Sequence, residues 1–496
     1  MAAESHREPG LEDDPAQAAV LHAIDDAEPA VDALGLAREK KNDWGNARRF
    51  LARHKRDVCY CKEWGWLVWD KQRWRVDDAA AYRLAMQTAE KIYDEAEALK
   101  ASGAKKTGAL VTWALKSGMS ARADAMLKVA SAYVATDQAQ FDREVYRLNV
   151  ANGTIHLDEG CRLLPPRRSD LARLASAVVY DKNAIAPRWE RFVREVLPDD
   201  ATRLFVQIWL GYCLSGDISE QRVCVFEGRG ANGKSTLLEV VARVLGEYAV
   251  VVPVETFLHQ NVKSGSGASP DIARLAGARL VRASEPEPGA RLSESTIKQF
   301  TGGEKMIARQ MYRDFFEFPV QGKLSLSVNV KPVLVGKDHG IRRRIVVVPF
   351  TQQFPPGRGS KRGQTLVDEL FEEASGILNW LLDGWRMWQE EGLPKARSID
   401  DATASYFTEM DPIGSFLKEA CEEGTREERT AASAIWSAYT RWCAQSGEDP
   451  KTQTAFGRRL SDLGYAKYQS SGVVYRLGLK VRYEWSQAGG SDANAA

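Results

Sequence analysis

Val223-Cys224-Val225-Phe226-Glu227-Gly228-Arg229-Gly230-Ala231-Asn232-Gly233-Lys234-Ser235-Thr236 is the stretch that decides the fold. The apolar run Val223 to Phe226 reads as a buried strand, and the helical spacing of Leu237, Leu238, Val241, Val244 and Leu245 follows it. Between them, Gly228 is separated by four residues from Gly233-Lys234-Ser235, the spacing of a P-loop. Glycines let backbone N–H groups wrap phosphates at a helix N-terminus, where the helix dipole favours anions. Lys234 would reach the β- and γ-phosphates, and the Ser235 hydroxyl would hold Mg²⁺. Gly228, Gly230, Asn232, Gly233, Lys234, Ser235 and Thr236 are the expected nucleotide-binding set, with ATP and Mg²⁺ as ligands. A coincidental Gly-rich turn is the bland alternative.

The 496 residues are enough for about three domains. A formal net charge of +1 excludes a globally basic nucleic-acid coat, so any DNA surface must be local. No run of about eighteen apolar residues occurs, and the acidic first thirty residues do not resemble a signal peptide, so a cytoplasmic protein without a membrane partner is expected. The seven cysteines form no paired CxxC set and are expected to be reduced and packed; His54 with Cys59 and Cys61 is a weak metal signal.

Residues 1–43 carry roughly eleven acids against four bases and read as a flexible tail, with a short helix from Ala16 to Ile24 as a docking option. Residues 44–215 read as a mostly helical domain with small β-units. Trp64, Trp66, Trp69 and Trp74 form a hairpin pattern better suited to core packing than to base stacking. Tyr146 to Leu157 reads as two strands around an Asn-Gly turn, with His156 structural. Residues 216–395 hold the P-loop domain, including one long amphipathic helix from Leu366 to Glu391, and Pro394 to Ser398 reads as a linker. Residues 396–484 give helix–helix–helix–hairpin, a winged-helix pattern whose third helix carries Arg458 and Arg459 as DNA candidates. Residues 485–496 read as a second tail.

Within the P-loop domain, Arg279 to Glu285 reads as a buried strand with Glu285 at its end and Glu287 two residues on. Acids there suit Mg²⁺ and water activation, although solvated surface acids would look the same. Lys323 to Asn329 reads as an alternating strand ending on Asn329, whose amide suits a γ-phosphate sensor; a turn before Pro332 fits equally. Ile307 to Phe318 reads as a hairpin turning at Tyr312-Arg313-Asp314. From Lys298 to Arg344 roughly ten bases face four acids, which places DNA or phosphate contacts here; a salt-bridged subunit surface is the alternative. Of Arg342, Arg343 and Arg344, at least one is expected to meet an anion or carboxylate.

Gly228-x-Gly230-x-Asn232-Gly233-Lys234-Ser235 resembles the P-loop of the phage/plasmid and poxvirus-type primase-helicases of helicase superfamily 3. Leu275-x-Gly277-x-Arg279-Leu280-Val281 with Ser284-Glu285 is similar too, as are Ile297 to Gly303, Ala308-Arg309, Asn329-x-x-Pro332 and Gly340-Ile341-x-Arg343-Arg344-Ile345. Flanking likenesses at Asn152-Gly153, Trp189 to Phe192, Leu210 to Tyr212, Leu378 to Trp380 and Asp411 to Gly414 extend it over roughly residues 45–482. The resemblance implies an α/β P-loop core of AAA+-like type and a homo-hexameric ring with ATP sites between subunits. It also implies Asn329 as sensor, Arg343 or Arg344 as a finger into the neighbour's site, and a DNA-tracking hairpin around Tyr312 and Arg313. Lys298 and Arg309 join the DNA candidates.

Two departures stand out. The acidic motif is Ser284-Glu285 with Glu287 rather than a double acid, which leaves the water-activating carboxylate open. Only a stretch of about 45 residues, acidic overall, precedes the helical region, so primer synthesis is not expected of this chain, and a separate primase or replication initiator is the expected partner. The reading is an ATP-dependent replicative helicase acting on single-stranded and forked DNA. The alternatives are an ATP-switched origin-binding initiator and a DNA packaging motor.

Overall fold

A computed structural model describes residues 31–259, 270–287, 289–309, 315–334, 339–354, 363–425, 427–446 and 449–486. Residues 1–30 with the docking option at Ala16–Ile24, most of the loop around Gly265, the hairpin tip with Tyr312 and Arg313, and residues 487–496 lie outside the described residues.

Five parallel strands form the centre: β1 (Val223–Glu227), β2 (Ala249–Val251), β3 (Leu280–Ser284), β4 (Lys323–Val328) and β5 (Ile345–Pro349). Their order across the sheet is β5-β1-β4-β3-β2, so β4 lies between the P-loop strand and the strand ending before Glu285. This is an α/β NTPase-like core. Side chains alternate between the faces. Cys224 and Phe226 of β1 join a layer with Leu237, Leu238 and Val241, while Val223 and Val225 face Phe257, Leu275, Ile297 and Phe300. Covering both faces buries β4 completely, including its polar residues. The alternation read in Lys323 to Asn329 therefore does not mark a solvent face: Ser325 Oγ accepts the Trp209 indole N–H at 3.0 Å.

Helices α1 (Pro187–Val196), α2 (Asp200–Tyr212), α3 (Lys234–Leu245) and α4 (Glu294–Thr301) flank the sheet with α5 (Ala374–Glu391) and α6 (Arg397–Glu409). α2 and α5 approach closely through two glycines. A Cβ on Gly211 would strike the Trp385 backbone, and one on Gly384 would strike the Gln207 backbone. The expected single helix from Leu366 to Glu391 is two, Gly363–Phe371 and α5. The break brings the Glu373 carboxylate onto the backbone N–H groups of Arg188 and Trp189, at 3.0 Å each, where it caps α1.

The expected linker at 394–398 and the boundary at 395/396 also need correction. α6 starts at Arg397 and packs on the sheet: Tyr406 enters its core, and Thr403 Oγ1 accepts the Val347 N–H at 2.9 Å. The core therefore runs to about residue 410. Beyond it come α7 (Pro412–Ala420), α8 (Ala432–Ser446) and α9 (Gln453–Asp462), then the antiparallel pair Lys467–Ser470 and Val473–Leu477. Phe416, Ile435, Tyr439, Trp442 and Phe456 give this region its own core.

The N-terminal region carries helices from Asp43–His54 to Ser120–Ser131 and two three-stranded antiparallel sheets. Trp66, Trp69 and Trp74 are buried there, which favours packing over base stacking. His156 is buried beside Glu159, 3.2 Å away, as expected of a structural group. The acidic tail ends earlier than expected. Fully buried Arg49 donates to the carbonyls of Leu36, Glu39 and Lys40 and pairs with buried Glu95 at 2.7 Å, which fixes residues 36–40 to the domain. All seven cysteines are free and buried. His54 meets Thr88 Oγ1 at 3.2 Å, and burial pushes its pKa down to about 4. No helix among the described residues is long and apolar enough to cross a membrane.

Candidate nucleotide site

The parallel register aligns the C-terminal ends of β1, β4 and β3: Glu227 faces Val328, and Ser327 faces Ser284. Three loops therefore leave one sheet edge side by side, beginning with Gly228, Asn329 and Glu285. That edge is where open α/β sheets bind ligands. The P-loop reverses through positive φ at Gly230, Ala231 and Gly233, then enters α3 at Lys234. Gly233 also has no room for a Cβ against Val196 of α1. Space around Gly230 is open, on the side a phosphate would take.

Lys234 is buried. Its Nζ donates to the Gly228 carbonyl at 2.6 Å and to Asn329 Oδ1 at 3.3 Å, and Asn329 Nδ2 donates to Glu285 Oε1 at 2.7 Å. A lysine, an amide and a carboxylate thus form a continuous chain across three strand ends. Burial pushes the Lys234 pKa down, and the nearby Glu285 and Glu227 carboxylates oppose that shift. Glu285 has φ +47°, a left-handed conformation that costs a side-chain-bearing residue about 1 kcal/mol or more. Glu287 is exposed, and among the described residues no hydrogen bond links its carboxylate to this chain. Asn232 is buried with its Nδ2 lacking a partner, a donor aimed within the loop.

The donor set suits a nucleotide-borne Mg²⁺. Exposed Ser235 follows Lys234 directly, and Glu285 offers carboxylate oxygen. Among the described residues no group of three or more His, Cys, Asp or Glu could hold a metal ion. Thr236, next in the loop, is half-buried.

The expected arginine pair separates clearly. Arg344 is buried, donates from Nε to Thr301 Oγ1 at 2.8 Å and from Nη1 to the Gly340 carbonyl at 2.6 Å, and ties α4 to the turn before β5. This contradicts a finger role for Arg344, because its guanidinium serves the subunit's own core. Arg343 is exposed and touches Gln221 Oε1 at 2.7 Å. It precedes β5 at the N-terminal sheet edge, since Ile345 faces Val223. The length of β1 alone, about 13 Å, separates it from its own P-loop.

The DNA candidates divide as well. Lys298 lies half-buried on α4, and Arg309 lies on the hairpin Met306–Arg309/Phe315–Phe318 with its guanidinium 5.2 Å from the Phe315 ring centre. Arg459 binds Asp411 at 2.7 Å, the residue that caps α7, so it is first a hinge contact rather than an exposed phosphate ligand. Arg458 is exposed.

One site residue was not anticipated. Lys331 lies two residues past Asn329 and joins Glu227, at the end of β1, to Glu409, at the end of α6, at 3.2 and 2.8 Å. Burial lowers its pKa, but the two carboxylates outweigh that and the net shift is upward. A lone lysine between Val330 and Pro332 has no pattern to reveal this bridge.

Comparison with known families now completes the picture. Residues 47–198 match the D5 N terminal like family, and residues 408–477 match the poxvirus D5 protein-like family. Residues 226–344, which hold the site, match a family described as of unknown function. Two separate regions of the chain thus resemble poxvirus D5-type proteins. "Putative helicase L207/L206" of Acanthamoeba polyphaga mimivirus is 29% identical over 240 residues, 46% of this chain and 25% of the relative. "Putative helicase 022R" of Frog virus 3 (isolate Goorha) is 27% identical over 269 residues, 51% of this chain and 27% of the relative. "Putative primase C962R" of African swine fever virus (strain Badajoz 1971 Vero-adapted) is 21% identical over 265 residues, 50% of this chain and 28% of the relative. The matched part of this chain spans about a quarter of each relative's length.

Proposed function

We propose that this chain is an ATP-driven replicative DNA helicase of superfamily 3 from a phage, plasmid or other mobile element. It would work as a homo-hexameric ring with an AAA+-like core on single-stranded and forked DNA, beside a separate primase or initiator, with residues from 411 onward acting as a winged helix. The Lys234–Asn329–Glu285 chain carries this reading. Loop N–H groups would hold the phosphates, and Lys234 would exchange its present oxygens for those of the β- and γ-phosphates. Asn329 would orient the water, whose oxygen bonds to the γ-phosphorus while the β–γ bridging P–O bond breaks. Glu285 would take the water's proton, and ADP would leave with the bridging oxygen. Mg²⁺, bound with the nucleotide near Ser235, would neutralise charge on the β- and γ-phosphate oxygens.

Arg343 supports shared sites, because its sheet edge is remote from its own P-loop and open to a neighbour. Strand separation on a forked duplex tests the reading. Wild-type protein should unwind the fork only with ATP, and Lys234→Ala should not unwind it while keeping the wild-type circular dichroism spectrum. DNA-stimulated hydrolysis without unwinding would replace the helicase by an ATP-switched initiator.

A further inference from the structure

Between the sheet core and the C-terminal region runs a groove of about 490 Å³. One wall is the core, where Arg291 and Val333 are joined by an isolated β-bridge, and the other is α9 with the residues just before it. Ala455, Arg458, Arg459 and Asp462 line the groove at a spacing that places them on one face of α9, and Lys451 lines it from just before the helix. α9 therefore turns its basic side towards the core rather than outward.

Charge in the groove is uneven. Arg291, Lys451, Arg458 and Arg459 face two acids, Asp411 and Asp462, and Asp411 already binds Arg459. Among the described residues the side chains of Arg291, Lys451 and Arg458 have no ion-pair or hydrogen-bond partner. Three unpaired cations at one concave site repel one another unless an anion joins them. Leu334, Pro412 and Ile413 give the groove an apolar lining against which sugars and base faces can rest. The volume is that of a small-molecule site, room for about one or two nucleotides of a single strand and too little for a duplex.

We propose that this groove seats the phosphate backbone of a single nucleic-acid strand, with Arg291 of the core and Lys451 and Arg458 of the C-terminal region as its phosphate contacts. The site lies apart from the hairpin and from the outward face of a DNA-reading third helix. Its position also couples it to the nucleotide. Val333 stands four residues past Asn329, while Met410 and Asp411 follow directly on Glu409, the partner of Lys331. A movement of the Asn329 loop would therefore shift one wall of the groove against the other. The inference rests on the DNA-motor reading above.

The test uses the full chain, binding of a fluorescent single-stranded oligonucleotide across a salt series, and the double variant Arg291→Ala/Lys451→Ala. Two lost phosphate contacts should flatten the slope of log affinity against log salt by about 1.4 and weaken binding roughly tenfold, equally for unrelated base sequences. ATP turnover without DNA should be unchanged, and Arg291→Lys/Lys451→Arg should restore binding. A folded double variant with wild-type affinity and slope would overturn the proposal, as would weaker binding of free ATP with strand binding intact. Wild-type protein that hydrolyses ATP but binds no single strand would overturn both the groove and the DNA-motor reading, whereas strand binding that the double variant leaves intact would overturn the groove alone. Failure of both activities would overturn the motor reading as well.

Discussion

At the candidate nucleotide site each charge is already held. Lys234 lies between two oxygens, Asn329 joins it to Glu285, and Lys331 braces the strand below. In the groove under α9, Arg291, Lys451 and Arg458 face open space. The first arrangement is preorganised, so a small ligand meets dipoles that need little rearrangement. The second has charge without fixed geometry, which suits a polyanion held through its phosphates whatever its bases. Between these extremes lie cations that serve only the scaffold, Arg344 and Lys323 among them. Sorting cations into these three kinds, rather than counting them, separates ligand contacts from structure.

The sharpest way to break that sorting is the arginine pair. Arg343→Ala should lower ATP turnover about 100-fold or more, as loss of an arginine finger does, with melting temperature unchanged. Mixing it with Lys234→Ala protein should restore part of the activity, since one intact site then forms between two crippled subunits. Arg344→Ala should instead cost about 2–4 kcal/mol of stability, because two charged hydrogen bonds in the core are lost. Absence of rescue with Arg343→Ala, or equal melting temperatures for the two variants, would erase the distinction.

A pH-dependent effect is expected at Lys323. It is fully enclosed and donates to the carbonyls of Ser215 and Gln321, with the Tyr212 ring 4.8 Å away. Burial pushes its pKa down to about 7, opposed in part by Cys213 and less by Asp217, while the nearby Arg279 adds to the shift. Between that value and the unfolded one near 10.4, the unfolded chain binds more protons than the folded chain. Stability from this residue therefore rises with pH across that window, by up to about 1.4 kcal/mol per pH unit. Lys323→Met should flatten the pH dependence of denaturant unfolding between pH 7 and about 10. An unaltered profile would mean that the buried ammonium stays charged throughout.

The convergence of residues at the candidate nucleotide site was legible because its signals are positional. A parallel sheet brings strand ends together, so Gly228, Glu285 and Asn329 could be expected to converge from strand boundaries alone. The choice between Glu285 and Glu287 could not be made that way, as it depends on the turn after β3. Arg343 and Arg344 look alike in sequence, and only the depth at which each enters the core separates them. α6 was missed because Pro394 and Ser398 read as a linker, although Ile399, Ala402, Tyr406 and Met410 carry helical spacing. The groove was invisible for another reason. Arg291 and Lys451 are 160 positions apart in the sequence, and neither belongs to a motif.

The proposed function stands on hydrolysis of a nucleoside triphosphate by the Lys234–Asn329–Glu285 chain. Steady-state ATP turnover, with nucleotide affinity measured on the same samples, tests it most directly in Glu285→Gln. The account predicts that turnover falls about 100-fold or more while ATP still binds, because the phosphate-holding loop is untouched and only the proton acceptor is lost. Wild-type turnover in that variant would contradict the assignment of Glu285 and return Glu287 to the site.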